Sequence, residues 1–418
     1  MSSFSIALSG LTAASSNLDV TANNIANADT VGFKSSRAEF ADVYASGAVN
    51  LNTSVTGEGV RLASTAQQFT QGNISTTSSN LDLAISGDGF FTLQSGNGIV
   101  YSRNGQFAED ANGNVVSSTG QALQVYPPLV NGGFNTGALS DLNLQTAQSA
   151  PQATTTGSAI LNLPAGAAPP TVAPFDPTNS LTYNQSTSTT VYDSLGNSYP
   201  ATLYFSAVAA APAATPPVPP NTWAVNMTVN GTAVGAAQNL TFNSAGAVIS
   251  PAGGGLTFAG FTPPDGANPM SMAFNFGATT EYGGSFGVTS ITQNGYATGQ
   301  LSTVAIDDAG IVSAVYTNGR STELGQLAMA NFPNPQGLKQ LGDTNWSETF
   351  TSGNVVQGTA GSAGFGTIQS GALESSNVDL TTELVNMITA QRSFDANAQV
   401  ITTANQESQT VIQMNQGG

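Results

Sequence analysis

The sequence predicts a mainly β protein with an α-helical terminal domain, its nested β domains inserted between N- and C-terminal coiled-coil-like helices. Three observations predict this class. Both ends carry apolar residues at a seven-residue step. The stretch between them alternates apolar and polar residues between Gly- and Asn-rich turns, and Pro/Ala/Thr-rich segments interrupt it.

At the N-terminus Phe4, Leu11, Leu18 and Ile25 keep the seven-residue step, with Leu8 and the small Ala7, Ala14, Ala22 and Ala28 beside them. Ser15, Ser16, Asn17, Asp19, Asn23 and Asn27 occupy the other face. This is a narrow coiled-coil stripe on an otherwise polar helix. Next, Leu81–Ile85, Phe90–Leu93, Ile99–Ser102, Gln106–Glu109, Asn114–Ser117 and Ala122–Tyr126 read as short strands. Turns at 96–98, 104–105 and 112–113 separate them, as in an antiparallel meander. Residues 149–180 form a Pro/Ala/Thr-rich boundary, and 181–284 is a second β-rich block whose tract Ala209 to Pro220 reads as an exposed loop. The first texture resumes in Gly299–Ile306 and Ile311–Tyr316.

At the C-terminus Leu380, Met387, Phe394 and Ile401 repeat the step, flanked by Leu384, Ile388, Ala398, Val411 and Ile412. Asn377 or Asp379 suits the cap, and Glu383 suits the first turn. A helix over 380–414 is roughly 50 Å long at ~1.5 Å per residue. Such stripes fit a helix hairpin packed on a globular core. They also fit ends that pair with each other and with copies of themselves. The second reading is favoured because narrow terminal seams bury little area within one molecule, so the helices are expected to be marginal alone and ordered on assembly.

Composition excludes most chemistry. The chain of 418 residues has 7 Lys+Arg against 24 Asp+Glu, a net charge of −17, and neither Cys nor His. Thiol and imidazole catalysis, disulfides and the usual zinc sites are therefore absent. The basic residues Lys34, Arg37, Arg61, Arg103, Arg320, Lys339 and Arg392 are scattered, which makes nucleic acid and anionic membrane poor partners. Apolar runs fall short of the ~18–20 residues of a membrane span, so no membrane insertion is expected. The first residues, Met1 to Ile6, lack a basic region and an unbroken apolar run, so export, if any, is expected by a route without a cleaved secretory signal.

Asp110, Asn112 and Asn114 have the spacing that opens a calcium loop, but position twelve is Gln121 and the flanks are strands, so a turn is expected. Asp193–Asn197 likewise reads as a turn. The adjacent pairs Glu109-Asp110 and Asp307-Asp308 alternate faces on a strand and cannot converge. The glycines of 358–366 lack a following Lys-Ser/Thr, so no phosphate loop is supported. No catalytic, cofactor-binding or metal-ligating residue is expected. A glycosidase pair built from distant acids stays open.

The run Ala22-Asn-Asn-Ile-Ala-Asn-Ala-Asp-Thr-Val-Gly-Phe-Lys34 resembles the N-terminal signature of the axial proteins of bacterial flagella, the rod and hook proteins. It contains Asn23, Asn24, Asn27, Thr30, Gly32 and Phe33. The run from Asn377 to Ala404 resembles their C-terminal signature. The middle resembles the hook proteins among them, through Leu81–Leu93, Tyr101–Phe107, Val191–Asn197 and Asn331–Leu338. The resemblance implies four parts: a terminal helical assembly domain (1–30 and 372–418), a connecting segment (31–70 and 355–371), a split β domain (71–148 and 285–354) and an inserted outer β domain (149–284). It also implies a subunit that polymerises into a curved, flexible tube carrying torque, outside the cell after type III export. Phe4, Leu8, Leu11, Leu18 and Ile25 are then expected to pack against Leu380, Leu384, Met387, Phe394 and Ile401 within and between subunits. Partners expected are copies of the chain, the distal rod, hook cap and hook–filament junction proteins, and the export apparatus. A distal rod protein, an extracellular β-rich adhesin and a polysaccharide-degrading enzyme are the alternatives.

Overall fold

The computed structural model describes residues 3–43, 57–144, 148–209 and 221–416. The Pro/Ala tract expected as a loop therefore lies, beyond Ala209, outside the described residues. The chain forms two compact units. One comprises Met1–Gln145, Thr303–Ala314 and Ser321–Gly418, and the other Thr146–Ser302 with Val315–Arg320.

The second unit is a sandwich of two sheets. One sheet runs in the order Gln185–Tyr192, Ser198–Val208, Thr222–Val229, Gln238–Phe242, Val248–Ser250. The other centres on Thr156–Pro164, which pairs in parallel with Met270–Asn275 and Thr280–Tyr282 and antiparallel with Gly287–Gln293. Burial alternates strictly along Met270–Asn275, so Met270, Met272 and Phe274 face inward. They join Phe205, Trp223, Phe258 and Phe276 in one apolar cluster. The Trp223 Nε1–H donates to Glu281 Oε1 at 2.8 Å, so the polar atom of the largest buried side chain is satisfied.

In the first unit a sheet includes, in order, Ser321–Leu327, Ala122–Tyr126, Phe90–Ser95, Gly98–Ser102, Asn345–Ser347 and Lys339–Gly342. Its faces carry two clusters. One holds Leu83, Phe91, Leu93, Val125 and Leu327, and the other Phe90, Tyr101, Phe332 and Trp346.

One turn recurs in both units. Asp110, Asp193, Asn243 and Asp307 each accept, on Oδ1, the backbone N–H four residues on, while their own N–H donates to that residue's carbonyl. The residue at the third step is Gly113, Gly196, Gly246 or Gly310, each at positive φ (78°, 87°, 76°, 75°). The first of the oxygens spaced like a calcium loop, on Asp110, is thus engaged in closing a hairpin, and Asn114 Oδ1 accepts from Asn143 Nδ2 at 2.8 Å.

Helices α1 (Ser3–Ala26) and α2 (Leu380–Gln416) bracket the first unit in sequence. They pack antiparallel, since Asn24 Nδ2 donates to Glu383 Oε1 at 3.2 Å while Gly10 abuts Asn397. That register carries α2 past the start of α1 beyond about residue 404, and 405–410, 412 and 413 are exposed.

Candidate assembly interface

The helix pair is narrow. Among the described residues of both helices only Ala7, Ala14, Thr21, Asn24 and Ala390 are buried. Ala7, Ala14 and Thr21 themselves keep a seven-residue step, three residues on from Phe4, Leu11 and Leu18. Small side chains let the axes approach. A Cβ on Gly10 would lie 2.6 Å from Asn397 Oδ1, so any larger residue there would have to displace the Asn397 amide. Leu11, Leu18, Ile25, Met387, Phe394 and Ile401 are half-buried, while Phe4, Leu8, Leu380 and Leu384 are exposed. Val385 and Ile388 add to this exposed apolar face of α2. Asp379 caps α2, accepting the N–H groups of Thr381 and Thr382 at 2.8 and 3.3 Å. These donors hold its carboxyl below the usual value.

The N-terminal signature is a joint between α1 and the β body. Asn24 is buried, grips Ser36 by its N–H and C=O (2.9 and 2.8 Å), and reaches Glu383 on α2. Asn27 bonds back to the Asn23 carbonyl and receives the Thr30 hydroxyl, closing the helix end. Asn23 is exposed. Gly32 sits at φ +71°, and a Cβ there would lie 2.5 Å from Asn104 N, so both conformation and space require glycine. Phe33 is buried behind it. Asn377, a candidate cap from sequence, instead receives the Ser35 N–H at 2.7 Å and donates to the carbonyls of Gln68 and Thr70.

Beneath this joint lies a buried charge triad that the sequence did not single out. Glu374, fully buried, receives Lys34 Nζ at 2.6 Å on Oε1 and Arg103 Nη1 at 3.2 Å on Oε2. The Gly72 N–H adds a third donor at 2.8 Å. Lys34 also donates to Thr70 O, and Arg103 to Gly87 O. Burial pulls Lys34 below its ordinary value, with Glu374 opposing. Two of the chain's seven basic residues thus serve one carboxylate. That scarcity was the available signal, since Lys34 closes one signature run and Arg103 lies inside another.

Among the described residues no group of three or more acidic, His or Cys side chains converges to hold a metal, and no helix is long and apolar enough to cross a membrane. Terminal helices with an uncovered apolar face, clamped to a β body by a dedicated joint, define a structural protein of axial assemblies. Family profiles match in four places. They are "Flagella basal body rod protein" over 4–34, "Flagellar hook protein FlgE/F/G D1 domain" over 84–159, "Flagellar basal body protein FlaE D2 domain" over 162–296 and "Flagellar basal body rod FlgEFG protein C-terminal" over 369–414. The flagellar hook protein FlgE of Escherichia coli is 40% identical over 421 residues, covering 98% of this chain and 99% of that one. The flagellar hook protein FlgE of Rhizobium meliloti is 33% identical over 422 residues, covering 97% of each. The crystal structure of Helicobacter pylori flagellar hook protein FlgE2 shares the fold at a TM-score of 0.51 and 15% identity, covering 72% of this chain and 100% of that one. The chain belongs to the flagellar hook protein FlgE family: it is a structural subunit of the hook, located in the flagellar hook and basal body.

Proposed function

We propose that α1 and α2 form the inner wall of the hook tube. Phe4, Leu8, Leu380 and Leu384, together with the half-buried Leu11, Leu18, Ile25, Met387, Phe394 and Ile401, would make the seams within and between subunits. The observation that carries this reading is the exposed apolar face of a helix pair whose own seam is built of alanines. Each Leu or Phe covered by a neighbour contributes about 1.5–3 kcal/mol, so many weak seams sum to a firm tube. The exposed end of α2 has the same need, because a short lone helix is marginal in water.

In this reading residues 1–30 and 372–418 form the assembly domain, 31–70 and 355–371 the connection, 71–148 and 285–354 the split β domain, and 149–284 the outer one, except that the boundary drawn at 284 moves to about 302, because Gly287–Gln293 pairs with Thr156–Pro164 inside the second unit. The Gly-, Ser- and Thr-rich β surfaces, which carry little charge, would slide between alternative contacts while the continuous helices resist twist, which suits a bending shaft under torque. Distal rod, hook cap and hook–filament junction proteins would meet the ends of the tube, after delivery of the chain by the type III export apparatus. The test is Leu384→Asp in the chromosomal gene. Secreted, folded subunit without hooks on isolated basal bodies is the expected result, and normal hooks would overturn the seam.

A further inference from the structure

We propose that Phe350, presented by the loop Thr349–Ser352 beside the sheet edge Lys339–Gly342, anchors a second copy of this chain. The inference rests on the reading that the subunit polymerises, and it adds a contact outside the terminal helices. Phe350 is 102% exposed, whereas no other described aromatic residue exceeds the 55% of Tyr282. A ring wholly in water is unfavourable, and a pliant loop would fold it back onto the surface.

This loop is not pliant. The Thr349 N–H donates to Ser352 Oγ at 2.9 Å, and Ser352 Oγ donates in turn to the Thr349 carbonyl at 2.8 Å. The hydroxyls of Thr349 and Thr351, on either side of the ring, both donate to the Gly337 carbonyl, at 2.5 and 3.3 Å. Asn334 Nδ2 holds the Thr351 carbonyl at 2.9 Å. A Cβ on Gly337 would come within 2.5 Å of Ser352 N, so the brace closes only over glycine. The run Asn331–Leu338, which buries Phe332 in the core, is also, through Asn334 and Gly337, the support that aims Phe350 outward.

The chain leaves Gly337 directly into Lys339–Gly342, the last strand of its sheet, which is exposed along its whole length. Among the described residues it pairs on one side only, with Asn345–Ser347. An open edge with a half-exposed Leu341 invites cover. A rigid aromatic beside it offers buried area at little ordering cost, the property of an interface anchor. The occupant is a second copy because this edge belongs to the same compact unit as α1 and α2. Copies stacked through those helices bring this unit against its neighbours.

The chain has no cysteine, so Phe350→Cys supplies a single thiol. Hooks purified from cells carrying F350C are treated with a maleimide, alongside the secreted subunit and hooks dissociated in denaturant. At least tenfold slower labelling in intact hooks than in the free subunit is the expected result. Equal labelling in both would overturn the anchor while leaving polymerisation intact. Folded F350C that forms no hooks, with assembly restored in Phe350→Leu, would also support it. If F350L forms none either, both variants are compared with Leu341→Ser; normal hooks from L341S would then restrict the contact to the ring, and protection of the edge would be refuted. A wild-type subunit that makes no hooks would instead sink the reading on which the inference rests.

Discussion

The sandwich of the second unit and the terminal helix pair handle apolar residues in opposite ways. In the sandwich Phe205, Trp223, Phe258, Phe274 and Phe276 all close on one another, so its core is complete within one chain. The 24 residues of α1 and 37 of α2 bury little beyond alanines and leave Leu380, Leu384, Val385 and Ile388 open. Stability of the first region is thus written into the subunit, while the second keeps apolar surface that, on the proposed reading, neighbours would cover. The buried triad of Lys34, Arg103 and Glu374 lies in the unit that carries the helices, where α1 joins the β body.

Substitutions can break or sharpen this contrast. Trp223→Ala removes the largest side chain of the closed core and strands Glu281, and should cost the subunit about 3–5 kcal/mol in denaturant unfolding. Glu374→Gln leaves two buried cations facing a neutral amide, and a loss of about 3 kcal/mol is expected, read in the melting of the helix-bearing unit. Asp379→Asn keeps a capping oxygen but removes its titration. Because the folded carboxyl lies below its ordinary value, its contribution is present above that value and lost as pH falls through the folded one. Helicity of the wild type, followed by circular dichroism, should therefore decline more steeply on acidification than that of D379N. Leu384→Asp should change subunit stability by less than about 0.5 kcal/mol, because the side chain is already exposed. If it melts the subunit instead, the helix pair is more self-sufficient than argued.

Much of this was legible from local pattern. The seven-residue step located both helices to within a few residues, and the Asn-Gly and Asp-x-x-Gly runs located turns, because these signals act over a few bonds. Which side of the stripe lies innermost was not legible. Ala7, Ala14 and Thr21 look unremarkable until Gly10 and Asn397 set the distance between the axes. The triad was also invisible, since Lys34 and Glu374 are separated by 340 positions and no periodicity links them. Phe350 reads as one more aromatic among strands, and only the hydroxyls on the Gly337 carbonyl reveal its outward aim.

The triad also has a meaning in time. Lys34 and Arg103 belong to the first quarter of the chain and their counter-ion to its last eighth, so whichever end arrives first must wait for the other. A subunit cut short before Glu374 keeps two cations that cannot enter the interior without penalty, and its joint stays open. The bridge therefore links the two ends of the chain: only a chain that includes Glu374 can neutralise both cations and close the joint.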